Sequence, residues 1–178
     1  LYGMVTGKSW VLVPETVKFN LVGKLPEGVY ARDLILTIIG TIGANGCNYQ
    51  VMEFTGEGAK TLSISERMVL CNMAVEAGAK TGIFEPDEKA IEYLKAHGRK
   101  PKALFTSDPD AVYAREYTFD LSKIRPVVAK PDFVDNLVPA EEVRGVKIDE
   151  AFLGSCNNGR IEDLRVGASI IKGKKVAE

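Results

Sequence analysis

The chain has 178 residues, 46% of them hydrophobic and 26% charged, a balance that suits a globular protein and excludes a disordered or fibrous one. Its net charge is −1, with 23 basic residues interleaved among 24 acidic ones, so the polybasic footprint of a nucleic-acid binder is absent. No apolar run is long enough for a membrane span and none reads as a signal peptide; the 3 scattered cysteines suit a reducing compartment, taken as the cytoplasm, better than a disulfide framework.

Residues 9–13 and 17–22 run or alternate apolar on either side of Pro14 and Glu15, and predict two short strands. A turn at Leu25, Pro26 and Gly28 precedes Arg32 and Asp33, which open a helix over 34–39. That helix is apolar nearly all round and is expected to be buried. Gly40, Gly43 and Gly46 are expected to break it, and Cys47 follows in a Gly/Asn-rich loop as a loop or partly buried thiol. Residues 50–54 predict a strand, ended by Gly56 and Gly58.

Ser63 followed by Glu66 is a capping box: the hydroxyl satisfies an orphan helix N–H while the carboxylate reaches back. From Met68 to Ala79 only Asn72 and Glu76 are strongly polar, and at a spacing of four they share one face of the predicted helix. A carboxylate on so apolar a helix must find partners or shift its pKa upward, because an unpaired buried charge is too costly. Either the pair faces a solvated edge or staples the interior, or it points into a site or an interdomain cleft.

Residues 80–84 predict a strand, and Pro86 and Asp87 start a helix over 88–95 with a solvated charged face. The stretch 101–115 reads as loop with a short helix near 110–113, and 116–121 as a strand. Pro126 and Pro131 bracket an extended segment that suits an interdomain linker. Strands alternating with helices give the α/β class, with a mixed sheet flanked by helices.

Residues 146–153 predict a buried strand, Gly154 and Gly159 punctuate a tight polar loop, and Ile161, Leu164, Ala168 and Ile171 recur at helical spacing. Cys156 is thereby placed at a strand's carboxyl end beside a helix amino end, where free backbone N–H groups favour a thiolate. The residues alone leave a structural cysteine, a metal ligand and a nucleophile open. The nucleophile is the weakest, since the single histidine, His97, lies in a polar segment and a Cys/His pair would need an unusual fold-back. After the helix, residues 174–178 enter what reads as another strand.

Two stretches together resemble the aconitase superfamily: the run from Cys71 through Asn72 and Glu76 to Thr81, and the run Leu153, Gly154, Ser155, Cys156, Asn157, Asn158, Gly159, Arg160, Ile161, Glu162. The continuation through Asp163 and Leu164 leans toward the branch of 3-isopropylmalate dehydratase and homoaconitase large subunits. Gly7 to Trp10, Val13 to Glu15, Lys24 to Pro26, Asp33 to Leu36 and Met52 to Phe54 also fit, so the resemblance spans essentially the whole chain. Asn157 departs from it, where threonine is usual.

The resemblance implies a [4Fe–4S] cluster held by three cysteines, whose open iron acts as a Lewis acid in removing and re-adding water. Cys156 matches the first of those ligands, and the other two belong to a Cys-x-x-Cys pair further along; Cys47 and Cys71 match none. Asn72 matches a residue beside the cluster and Glu76 one that partners a catalytic histidine, so these two are the expected catalytic residues. Also implied are a small-subunit partner in a heterodimer or heterotetramer and a small 2-hydroxy di- or tricarboxylate substrate: isopropylmalate, homocitrate or citrate. The chain then divides into 1–28, a strand pair from the edge of a preceding domain; 29–124, an aconitase-like second domain; and 125–178, a linker and the start of a third domain. Beginning at Leu1 rather than Met, it is expected to be an internal piece, inactive alone and without the cluster. Two alternatives remain: a cluster-free RNA-binding protein, disfavoured by the charge, and a free-standing α/β scaffold in which Cys156, Asn72 and Glu76 are structural. A salt-dependent RNA gel shift tests the first, and whether Glu76 and Cys156 face one cleft tests the second.

Overall fold

The computed structural model describes residues 1–175, so the strand expected after Lys174 falls largely outside the described residues. A short helix, α1 (Tyr2–Thr6), precedes β1 (Thr16–Val22), α2 (Ala31–Ile42), β2 (Val51–Thr55), α3 (Gly56–Thr61), α4 (Ile64–Met73), β3 (Thr81–Phe84), α5 (Glu88–Ala96) and β4 (Arg115–Asp120). The four strands form one sheet in the order β3-β2-β1-β4, and every pairing is parallel. Parallel neighbours need crossovers, which the intervening helices provide. Val17, Phe19 and Leu21 of β1 are fully buried and join Leu34, Ile35, Ile38 and Ile39 of α2 and Leu70 and Met73 of α4 in one core. The register sets Phe19 level with Phe54 and Tyr117, and Phe54 level with Phe84. Their rings stand 5.6, 5.4 and 5.0 Å apart, in that order, a row of aromatic pairs across the sheet.

The α/β class read from the sequence is the observed one. Antiparallel pairing is confined to a separate ribbon, β5 (Val127–Ala129) with β6 (Leu137–Pro139). Its first strand lies within the extended stretch expected between Pro126 and Pro131, and the ribbon packs against α2, where Asp33 Oδ1 accepts from the Val127 N–H at 3.0 Å. Gly40 does not break α2. A Cβ there would stand 2.5 Å from Leu137, so the missing side chain is what lets the ribbon close on the helix. The break comes at Gly43, with φ 85°.

Two expected strands do not form. Residues 9–13 are irregular and exposed, with Trp10 87% accessible. A strand needs a hydrogen-bonded neighbour. The neighbours of β1 are β2 and β4, so β1 is an inner strand of the sheet and not half of an edge pair with 9–13. Residues 146–153 likewise run without a strand partner among the described residues, with Phe152 83% accessible. The helix after them does form, as α6 (Ile161–Ile171). No helix forms at 110–113 either. The hydroxyls of Ser107 and Tyr113 instead donate to Glu53 Oε1 at 2.9 and 3.0 Å, drawing that segment over the polar face of β2.

The capping box at α4 is present: Ser63 Oγ accepts from the Glu66 N–H at 3.3 Å, and Glu66 Oε2 from the Ser63 N–H at 2.7 Å. The helix gives way to a 3₁₀ turn, Ala74–Ala77, closed by Gly78 at φ 78°. Only one side of it is buried, through Arg67, Val69, Leu70 and Met73, while Asn72 and Glu76 lie in solvent. The burial expected for this apolar helix is therefore confined to one side, Asn72 and Glu76 lie on its solvated side, and Glu76 needs no buried partner.

Gly56 joins β2 to α3 with φ 90°, and a Cβ there would collide with the backbone carbonyl of Leu21 and the side chain of Asn20. Gly56→Ala is expected to cost roughly 2 kcal/mol or more, read as a lowered melting temperature, because neither the dihedral nor the neighbouring backbone can give.

Candidate functional site

Three elements converge on the loop 154–160: the start of α2, the end of α4 and the start of α6. Asn157 is the buried member of the loop, and Cys156 beside it is exposed. Arg32 Nη1 donates to Asn157 Oδ1 at 2.8 Å and to Asn158 Oδ1 at 3.2 Å. Ser155 Oγ donates to the same Asn157 oxygen at 3.0 Å, and Arg160 Nη1 to the Asn157 carbonyl at 2.9 Å. Asp163 closes the turn from the first turn of α6, accepting from the Arg160 N–H at 3.1 Å.

This packing carries Cys156 onto the end of α4, where its thiol donates to Asn72 Oδ1 at 3.7 Å. The amide is an adaptable neighbour: Oδ1 accepts from a thiol, and Nδ2, after a flip, donates to a thiolate. Glu76 follows on the 3₁₀ turn. It lines a cleft of about 570 Å³ together with Arg32, Lys130, Asp132 and Asn157. Cys156 and Asn72 are thus in contact, and Glu76 shares a cleft with the residue next to Cys156, although Cys156 itself is not part of the lining.

The other two thiols are different. Cys47 is fully buried, and burial raises its pKa against the opposing pull of Arg115. Burial pushes the Cys71 thiol up to about 11. In both, burial disfavours the thiolate, the form that ligates a metal. His97 caps α5, with its ring against Tyr93 and Nδ1 2.8 Å from that residue's carbonyl, so it forms no Cys/His pair. Among the described residues no group of three or more His, Cys, Asp or Glu is gathered for a metal. An iron–sulfur cluster takes several thiolates. Cys156, exposed on an anchored loop, fits one such position, and the described residues do not complete the set.

Sequence reasoning named Arg32 only as opening a helix and Asn157 only as a departure from the resemblance, and gave neither a part in the site. A signal existed for the first: a cation in the first turn of a helix faces the positive end of the macrodipole and needs a reason to be there. Among the described residues no helix is long and apolar enough to cross a membrane.

The profile of the Aconitase family (aconitate hydratase) matches residues 2–145. The chain is 50% identical over 171 residues to 3-isopropylmalate dehydratase large subunit 1 of Methanopyrus kandleri, covering 96% of this chain and 41% of that protein. It is 51% identical over 175 residues to the 3-isopropylmalate dehydratase large subunit of a Hydrogenobaculum species, covering 98% and 41%. With the protein of the same name from Caldicellulosiruptor saccharolyticus it shares 52% over 174 residues, covering 97% and 41%. The chain therefore spans about two-fifths of the length of the curated relatives it matches. These alignments run through the Cys156 loop as well as the sheet, and the chain belongs to the aconitase family.

Proposed function

We propose that this chain is part of the large subunit of a 3-isopropylmalate dehydratase, a cytoplasmic hydro-lyase that shifts a hydroxyl between adjacent carbons of isopropylmalate by removing and re-adding water. The observation that carries this is identity of 50 to 52% across 96 to 98% of the chain to proteins of that name. We place residues 125–178 as a linker and the start of a further domain, and a small subunit as the partner that completes the enzyme.

In this reading Cys156 supplies one of three thiolates for a [4Fe–4S] cluster, and the other two lie outside these 178 residues. When bound, such a cluster supplies a Lewis-acidic iron for the substrate's hydroxyl and carboxylate. The chain's own residues act around it. The anchored loop orients the Cys156 sulfur, and Asn72 meets that sulfur with whichever end of its amide the protonation state requires. Glu76 accepts the ring N–H of a histidine from elsewhere in the subunit and so fixes that ring's tautomer, a role that its exposure on a cleft supports.

The test is turnover by the whole large subunit together with its small subunit, isolated without oxygen and followed by the absorbance of the unsaturated intermediate. Isopropylmalate is expected to exceed homocitrate and citrate in kcat/KM by about tenfold or more, the scale on which pockets discriminate small apolar groups. Preference for citrate or homocitrate would move the chain to another branch, and no turnover of any of the three would overturn the enzymatic reading.

A further inference from the structure

The loop that presents Cys156 is held by a residue 125 positions earlier in the chain. Arg32 sits in the first turn of α2, where the helix dipole opposes a cation. What compensates is the pair of asparagine oxygens it binds, 2.8 and 3.2 Å from one guanidinium nitrogen. Asn157 is the only residue of 154–160 that is buried, and its side-chain oxygen takes two donors while its carbonyl takes a third. Cys156, by contrast, has among the described residues one hydrogen-bond partner, Asn72, at a long 3.7 Å. The direction of its sulfur is therefore set by the residue next to it, and that residue is set by Arg32.

A second observation agrees. Arg32 lines two clefts at once, one of about 530 Å³ with Phe152, Leu153 and Ile170, and one of about 570 Å³ with Glu76 and Lys130. Asn158 lines the first and Asn157 the second, so the bridge from Arg32 joins residues of both linings.

We infer that Arg32 is a positioning residue for Cys156, acting through Asn157 to hold the sulfur against the end of α4. The consequence for iron binding rests on the dehydratase reading above; the clamp itself does not.

The experiment uses the whole large subunit with its small subunit, as wild type, Arg32→Met, Arg32→Lys and Asn157→Ala. Amide hydrogen exchange over 153–160 is measured on iron-free protein, and release of iron to a chelator on loaded protein. Arg32→Met removes the guanidinium and both of its hydrogen bonds while keeping an unbranched apolar stem, and is expected to speed exchange in the loop and iron release by about tenfold or more, the scale of a lost charge-assisted hydrogen bond, with the melting temperature nearly unchanged. Arg32→Lys, which keeps the charge but not the planar fork, falls between. Asn157→Ala reproduces the Met variant and decides the matter should that variant fail to fold. Unchanged loop exchange in both, or a rise spread evenly over α2 and the core with a lowered melting temperature, overturns the clamp. A wild type that holds no iron removes the dehydratase reading, and loop exchange still judges Arg32.

Discussion

Cys156→Ser in the whole subunit is expected to strip most of its iron while leaving the fold intact. The sulfur is exposed and among the described residues its one hydrogen-bond partner is Asn72 at 3.7 Å, so an oxygen in its place costs little packing. A serine hydroxyl is not ionised at neutral pH and is a poor substitute for a thiolate on iron. Cys47→Ser separates ligand loss from damage. Cys47 is fully buried in the core, so its serine variant should keep its iron yet lose about 1–3 kcal/mol through a buried hydroxyl without a partner. Iron analysis and thermal melting on the two variants give opposite patterns. Equal iron loss from both would break the assignment of Cys156.

Asp87→Asn is expected to produce the larger loss of stability. Arg67, buried on α4, donates from Nη1 and Nη2 to Asp87 Oδ1 and Oδ2 at 2.9 and 2.6 Å, a two-pronged pair with side chains only 7% and 17% accessible. Asp87 also caps α5, accepting from the Ala90 N–H at 3.1 Å. An amide keeps the shape and removes the charge, leaving the guanidinium buried opposite a neutral group, at a cost of about 3–5 kcal/mol. The pH dependence has a definite sign. Hydrogen bonding from Arg67 holds the Asp87 carboxyl below its ordinary value, outweighing the effect of burial. A depressed carboxylate contributes its stability above the unfolded value of about 3.9, and that contribution is lost as pH falls through the folded value. Melting temperatures followed downward from about pH 5 should therefore fall more steeply for wild type than for the variant. Parallel curves would mean that the pair contributes nothing.

Local rules carried the elements that could be read. The capping box at Ser63 and Glu66, the apolar run of α2 and the alternation of β1 each depend on neighbours a few residues apart. Residues 9–13 and 146–153 have strand composition, but a strand exists through a partner, and apolar content says nothing about where a partner lies. The face shared by Asn72 and Glu76 was half legible: their spacing showed, whereas the change to a 3₁₀ turn at Ala74 did not. Cys156 and Asn72 are 84 positions apart and Arg32 and Asn157 are 125 apart, so no window along the chain contains either contact. The motifs around Cys71 and Cys156 pointed to the family, but the clamp that orients the loop was visible only as one awkward cation at a helix start.

The most direct measurement is the iron-to-protein ratio of the whole large subunit isolated without oxygen, taken with its visible spectrum. If Cys156 is one of three anchors of an iron–sulfur cluster, the ratio stands near about four with an absorbance band at about 400 nm. A subunit free of iron that still converts isopropylmalate at full rate would contradict it.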